Sequence, residues 1–304
     1  MTFDVTTDLT EELMRANFNR WRGSVDVAPL TTSETEAIKT PVTHTFPDLN
    51  GRADLCQSIL ESDRGLLSDE KRRATALTKG GEETRHMIRA RAVGLDRFVF
   101  AYLGVHDPYY STLSTGPRPA FGIFVQGGIE AFPRCNASRR DLGSTESICE
   151  DDNPQSAQGE FLLPSDAREL CAREVRTRHK NFWYYWGAIE FYLEEAYKRE
   201  HWKWKFEFHF RDAVPVSEFD AILWPELQAA DAAGSTRFGS LSDRSVQFAR
   251  NHPGCRVLRY AYRNRTPGAS LVQASTAVCR YILAHGEYPP TIQDAESRLH
   301  ELTR

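Results

Sequence analysis

From His201 to Arg211 the chain reads HWKWKFEFHFR, polar and aromatic residues alternating one for one. A period of two fits a β-strand. It predicts Trp202, Trp204, Phe206, Phe208 and Phe210 on a core face, with Lys203, Lys205, Glu207, His209 and Arg211 on the other, solvated face. Two continuous apolar runs, Phe98 to Val105 and Ala120 to Val125, predict core strands separated by a long loop, and CRVLRYAYR near residue 260 predicts another strand. SEFDAILWP reads as a helical turn and a last short strand. Helical spacing appears in LTEELMRANFNRW, with Thr7, Asp8 and Thr10 as caps, and in RADLCQSILESDRG, where Leu55, Ile59 and Leu60 recur before a C-capping Gly65. The charged run from Ser68 to Gly94 reads as a partly helical surface element. GEFLLPSDARELCAREV predicts a brief strand and a capped helix, NFWYYWGAIEFYLEEAYKREHW an amphipathic helix, and LVQASTAVCRYILAHG a C-terminal helix ended by Gly286.

These elements sum to an α+β fold, with strands too scattered for a doubly wound sheet. The division predicted is an N-terminal helical segment and linker over 1–40, an α+β domain over 41–265 with an irregular insertion at about 130–160, and a C-terminal helical segment over 266–304. With 304 residues, 40% of them hydrophobic, the chain can bury a large core. A formal charge of -4 excludes a global polycation, so a nucleic-acid contact would need a local basic patch. The N-terminus lacks a basic and apolar leader, and no apolar run approaches the roughly 18 residues that span a bilayer. The expectation is a cytoplasmic protein, or one delivered as an effector, with no membrane partner.

The six cysteines are spread without a CxxC pair, which argues against structural zinc. Asn136-Ala137-Ser138 fits a glycosylation sequon but lacks a secretory context. GxGxxG, GxxxxGK[ST], HExxH and GxSxG are all missing. What remains is Glu207, a carboxylate fixed on a stiff strand among cationic or protonatable neighbours. It reads either as part of a charged surface or as a cation-orienting catalytic group.

Three stretches, in order, carry a family resemblance. Val42-Thr43-His44-Thr45 followed by DLCQSILESDRGLLS resembles the opening of the ADP-ribosyltransferase fold, where a strand bearing His-Thr precedes a helix ending in Gly-Leu, as in DarT-like enzymes and poly-ADP-ribose polymerases. LDRFVFAYLGVHDPYYSTLSTG, with Tyr110-Ser111-Thr112, is similar to the element lining that family's nicotinamide pocket, although Leu113 interrupts the Ser-Thr-Ser triplet of the arginine-modifying branch. KFEFHFRDAVPVSEFDAILWP resembles the region of the catalytic glutamate, which runs into a Val-Pro turn. The resemblance implies a split antiparallel sheet with flanking helices and NAD as a substrate, with no metal. It makes Glu207 catalytic, hydrogen-bonding a ribose hydroxyl beside an oxocarbenium-like centre. His44 would grip the adenosine ribose with help from Thr45, and Tyr110 with Ser111 would line the nicotinamide site.

Arginine- and asparagine-modifying branches carry Glu or Gln two residues before the catalytic glutamate, where this chain has Lys205. A cation there disfavours arginine and favours an anionic or neutral acceptor, with nucleic acid slightly ahead of protein. Gln158-Gly159-Glu160 offers a competing Gln-x-Glu form. Two other readings stand beside the family one: Glu207 and Glu160 as the paired carboxylates of a glycoside hydrolase, and a non-catalytic interaction protein using the Trp183 to Trp186 aromatics.

Overall fold

The computed structural model describes residues 6–7, 9–23, 28–30, 41–47, 56–75, 85–104, 120–139, 142, 158–178, 206–227, 239–262 and 267–302. Tyr110, Ser111, Lys205, the Trp183 to Trp186 aromatics and the first five residues of the alternating run lie outside them.

Helix α1 (Glu11–Arg22) starts where Thr10 accepts the Leu13 N–H at 3.1 Å. Strand β1 (Val42–Pro47) follows, then a π-helical turn (Cys56–Glu61) closed by Gly65. Gly65 has φ +68°, and a Cβ there would come within 2.1 Å of the Val214 carbonyl. The position therefore requires glycine twice over. Strand β2 (Leu66–Leu67), helices α2 (Asp69–Ala74) and α3 (Arg85–Ala92), and strands β3 (Phe98–Leu103) and β4 (Ala120–Val125) come next. Strands β5 (Cys135–Ser138) and β6 (Phe161–Leu162) precede helix α4 (Pro164–Arg178). After β7 (Glu207–Arg211), β8 (Ala213–Val214) and β9 (Phe219–Leu227), the chain ends with α5 (Gly239–Asn251), β10 (Arg256–Tyr262), α6 (Pro267–His285) and α7 (Ile292–Leu302).

The fold is α+β. One eight-stranded sheet has the order β10-β9-β4-β1-β3-β7-β5-β6, and β2 pairs with β8 in a separate ribbon. The pairings are antiparallel except β9 with β10, which is parallel across α5. Several expectations change in detail. Strand β1 lies between β3 and β4 in the sheet. The segment expected as a last short strand is the nine-residue β9, followed by β10. Residues 135–138, inside the stretch expected to be irregular, form the buried strand β5. Its alternation of Asn136 and Ser138 with Cys135 and Ala137 is too short to stand out from loop composition.

Both faces of the sheet are covered. One carries Val42, Phe46, Ala101, Ile123, Phe208, Phe210 and Trp224 in a core shared with Phe248 of α5. Phe46 stacks on Phe121 at 5.0 Å and Trp224 meets Phe121 edge-on at 5.0 Å. On the other face, α6 and α7 pack Leu271, Val278 and Ile292 against Phe124, Leu223 and Tyr260. Farther along that face, Met14, Leu95, Phe98, Leu142, Phe161 and Leu163 form a third cluster. No helix among the described residues is long and apolar enough to cross a membrane.

Candidate functional site

Residues directly opposite one another in adjacent strands point to the same side of a sheet. Thr43 pairs with Tyr102, Tyr102 with Glu207, and Glu207 with Ser138. One step along, Phe100 pairs with His209 and His209 with Asn136. The alternation that makes β7 a strand thus gathers Glu207, His209, Asn136 and Ser138 on one face.

That face is not solvated. Glu207 and His209 are each 0% exposed, because the cluster of Met14, Leu95, Leu142 and Phe161 lies over them. This corrects the expectation of a charged, water-facing strand side: the alternation was right, but a second layer covers the polar row. Burial obliges these groups to satisfy one another. Glu207 Oε2 accepts the Leu142 N–H at 2.9 Å and lies 3.0 Å from His209 Nε2. His209 Nδ1 lies 2.7 Å from Asn136 Oδ1, and Nε2 also lies 3.3 Å from Ser138 Oγ. Phe98, Phe100 and Phe161 surround the imidazole at centroid distances of 6.0, 5.3 and 5.6 Å.

The reverse side of β7 is braced by an ion pair. Arg168 of α4 binds Glu130 through Nε at 2.9 Å and Nη2 at 2.6 Å, and its guanidinium lies 5.4 Å from the Phe208 ring. Burial pushes the Glu130 carboxyl above its usual range, against the opposing pull of Arg168.

His44 sits where the sheet opens. Strand β1 pairs with β4 through six residues but with β3 through just Val42–Leu103 and Thr43–Tyr102. At the next position, His44 Nδ1 lies 2.6 Å from the Phe100 carbonyl. A carbonyl can only accept, so Nδ1 carries the proton. The residue is half-buried, and its surroundings are dense enough that desolvation lowers its pKa to about 4, with the Arg72 charge acting the same way and the Phe100 bond opposing. The ring is therefore neutral at pH 7 and its Nε2 is an acceptor. Arg72 belongs to a network on α2 and α3 in which Asp69 faces Arg72 at 3.5 Å and Arg73 at 3.4 Å, while Arg73 also pairs with Asp96.

Of the site residues expected from sequence, Thr45 and Glu207 lie on one face by register. His44, one position from Thr45, takes the opposite side of β1 and borders the opening between β1 and β3. Thr45, half-buried, lies opposite Gly122. Glu160 is placed away from β7, beyond β5, where it faces Arg139 at 3.8 Å and Arg139 lies over the Trp21 ring. Its neighbour Gly159 holds α1 by accepting the Trp21 Nε1–H at 3.0 Å. His209, Asn136 and Ser138 were missed as site residues. The same two-residue period that marks Glu207 also marks His209, and the Asn-Ala-Ser triplet carries strand alternation as well as a sequon.

No family model matches this chain, and no curated protein matches it in sequence. Among solved structures it is similar to Thermus sp. 2.9 DarT in complex with ADP-ribosylated ssDNA, at 13% identity and a TM-score of 0.41, over 75% of this chain and 95% of that one. A likeness at that distance leaves the chemistry to be argued from the side chains.

Proposed function

We propose that this protein is a mono-ADP-ribosyltransferase that cleaves NAD and transfers ADP-ribose to a macromolecular acceptor. The observation that carries the reading is the Glu207 carboxylate, held on β7 with one oxygen fixed by the Leu142 N–H and His209. The nicotinamide–ribose bond breaks with its electron pair leaving on the pyridinium nitrogen, which becomes neutral. An acceptor heteroatom then bonds to the anomeric carbon and releases its proton to water. The anomeric carbon is cationic between these events, and a pre-oriented carboxylate in dry surroundings stabilises it far more than water would, which requires the sugar to displace part of the layer of Leu142 and Phe161 over Glu207. In this reading His44, which lies on the opposite side of β1 from the Glu207 face, takes a hydrogen bond from a ribose hydroxyl through the Nε2 of its neutral ring. Thr45, on the Glu207 face, Tyr110 and Ser111 are proposed as further NAD contacts. Lys205 favours a nucleic-acid acceptor, which also fits a role as a toxin or effector acting in a cytoplasm.

A second reading is favoured by the complete burial of Glu207: with His209 and Asn136 it forms an internal polar staple without chemistry. One measurement separates the two. Nicotinamide release from NAD should be detectable for the wild type and should fall by at least about 100-fold in Glu207→Gln, the scale of losing one electrostatic stabiliser. A folded wild type that releases no nicotinamide in the presence of single-stranded DNA, RNA and protein acceptors refutes the transferase reading and leaves the staple. Label from NAD appearing on protein arginines and not on nucleic acid would refute the acceptor assignment alone.

A further inference from the structure

His209 is a fully buried imidazole on the same strand face as the Glu207 carboxylate, two residues away, and each ring nitrogen has a partner from a different element. Nδ1 meets Asn136 Oδ1 of β5 at 2.7 Å. Nε2 meets Glu207 Oε2 at 3.0 Å and Ser138 Oγ at 3.3 Å. With Glu207 ionised and Asn136 turning its amide oxygen to the ring, both partners are acceptors and both ring nitrogens donate. The rings of Phe98, Phe100 and Phe161 all lie within the distance at which an aromatic quadrupole attracts a cation. The register fixes all of this: Asn136 stands directly across the ladder from His209 and Ser138 directly across from Glu207.

We propose that His209 is a positioning residue for Glu207: clamped by Asn136 as a doubly protonated imidazolium, it sets the plane of the carboxylate and supplies its counter-charge. The proposal rests on the transferase reading for its catalytic consequence, though not for the clamp itself. Both Leu142 and His209 bind the same oxygen, Oε2. Two donors converging on one atom from the backbone and from an adjacent side chain stop the carboxylate rotating, which is what a group that must meet a developing charge requires. A histidine tethered by a third residue is a general way to hold its tautomer and orientation.

The test uses the full chain with ¹⁵N-labelled histidine, the His209 signal being assigned by its loss in His209→Gln. Two-bond ¹H–¹⁵N correlation spectra at pH 7 should show both ring nitrogens of His209 protonated. In Asn136→Leu one proton should be lost, whereas Asn136→Asp, which keeps an acceptor oxygen, should retain both. With NAD as substrate, His209→Gln and Asn136→Leu should lower kcat by about 10- to 100-fold, the loss expected for one charge-assisted hydrogen bond, with KM within about twofold. Asn136→Asp should restore most of the kcat. Thermal melts followed by circular dichroism check that each variant is folded, and the wild-type spectrum decides the clamp even where a variant is not. A bare nitrogen on His209 in the wild type, or wild-type kcat in folded Asn136→Leu, overturns the proposal. A doubly protonated ring in a wild type that releases no nicotinamide upholds the clamp and overturns the transferase reading alone.

Discussion

Replacing His44 by asparagine should change how stability depends on pH, by an amount that follows from the structure. The side-chain amide of asparagine can present an N–H close to where His44 Nδ1 donates to Phe100, so the substitution removes the titrating group and can keep the bond. In the unfolded chain the imidazole takes its proton near pH 6.5, whereas in the folded protein desolvation delays this until about pH 4. Between those values the unfolded state binds the extra proton, so acidification pulls the wild type towards unfolding. At pH 7 and above the ring is neutral in both states and the term vanishes. Below pH 4 it is complete, and at about 1.4 kcal/mol per pH decade it reaches about 3 kcal/mol. That is a ceiling, because the residue is only half-buried and solvent screens the effect. Urea unfolding followed by tryptophan fluorescence, at intervals from pH 7.5 to 4.5, gives wild-type and variant free energies. Their difference cancels the other titrating groups, and the wild-type advantage should shrink steadily as pH falls below 6.5. A difference that stays flat within about 0.5 kcal/mol, or that grows on acidification, would refute the desolvated neutral ring and the acceptor role assigned to its Nε2.

Gly65→Ala should destabilise the fold by at least about 2 kcal/mol in the same assay, since it adds a left-handed backbone penalty to a collision with the Val214 carbonyl; a loss below about 0.5 kcal/mol would contradict the geometry of that turn. The thiols of Cys56, Cys135, Cys255 and Cys279 are buried, and burial pushes Cys255 up to about 12 and raises Cys135 and Cys279 as well. They should react with a disulfide reagent at the rate of unfolding, and rapid labelling of any of them in native buffer, located by mass spectrometry, would be inconsistent with this core.

Much of the strand content was legible because its signals are strong. Phe98 to Leu103 and Ala120 to Val125 are nearly continuous apolar runs, and the alternation through Glu207 to Arg211 has no competing helical period. Thr10 and Gly286 marked helix ends through capping chemistry and a positive φ. The order of strands was not legible, since pairing depends on contacts between β1, β3, β7 and β5 that lie far apart in sequence. Nor was the burial of Glu207: period two says which residues share a face, and only the packing of α1, Leu95, Leu142 and Phe161 says whether water reaches it. His209 was read as a neighbour of the carboxylate and not as its partner, because its second tether, Asn136, comes from a strand more than seventy residues earlier.

The strand order also constrains when the polar cluster can come into being as the polypeptide emerges during synthesis. Strand β1, first in the chain, sits in the interior of the sheet with β3 and β4 as its neighbours, so those three can associate once the first 125 residues are made. Strand β5 is made next, but its ladder partners are β6 and β7, and β7 separates it from β3. Asn136 and Ser138 therefore wait, unpaired with the sheet, until residues 207–211 arrive and bring Glu207 and His209 with them. A nascent chain halted before that point holds β1, β3, β4 and the residues that will surround the carboxylate, but not the strand that ties them together, so the cluster is assembled in a single late docking event.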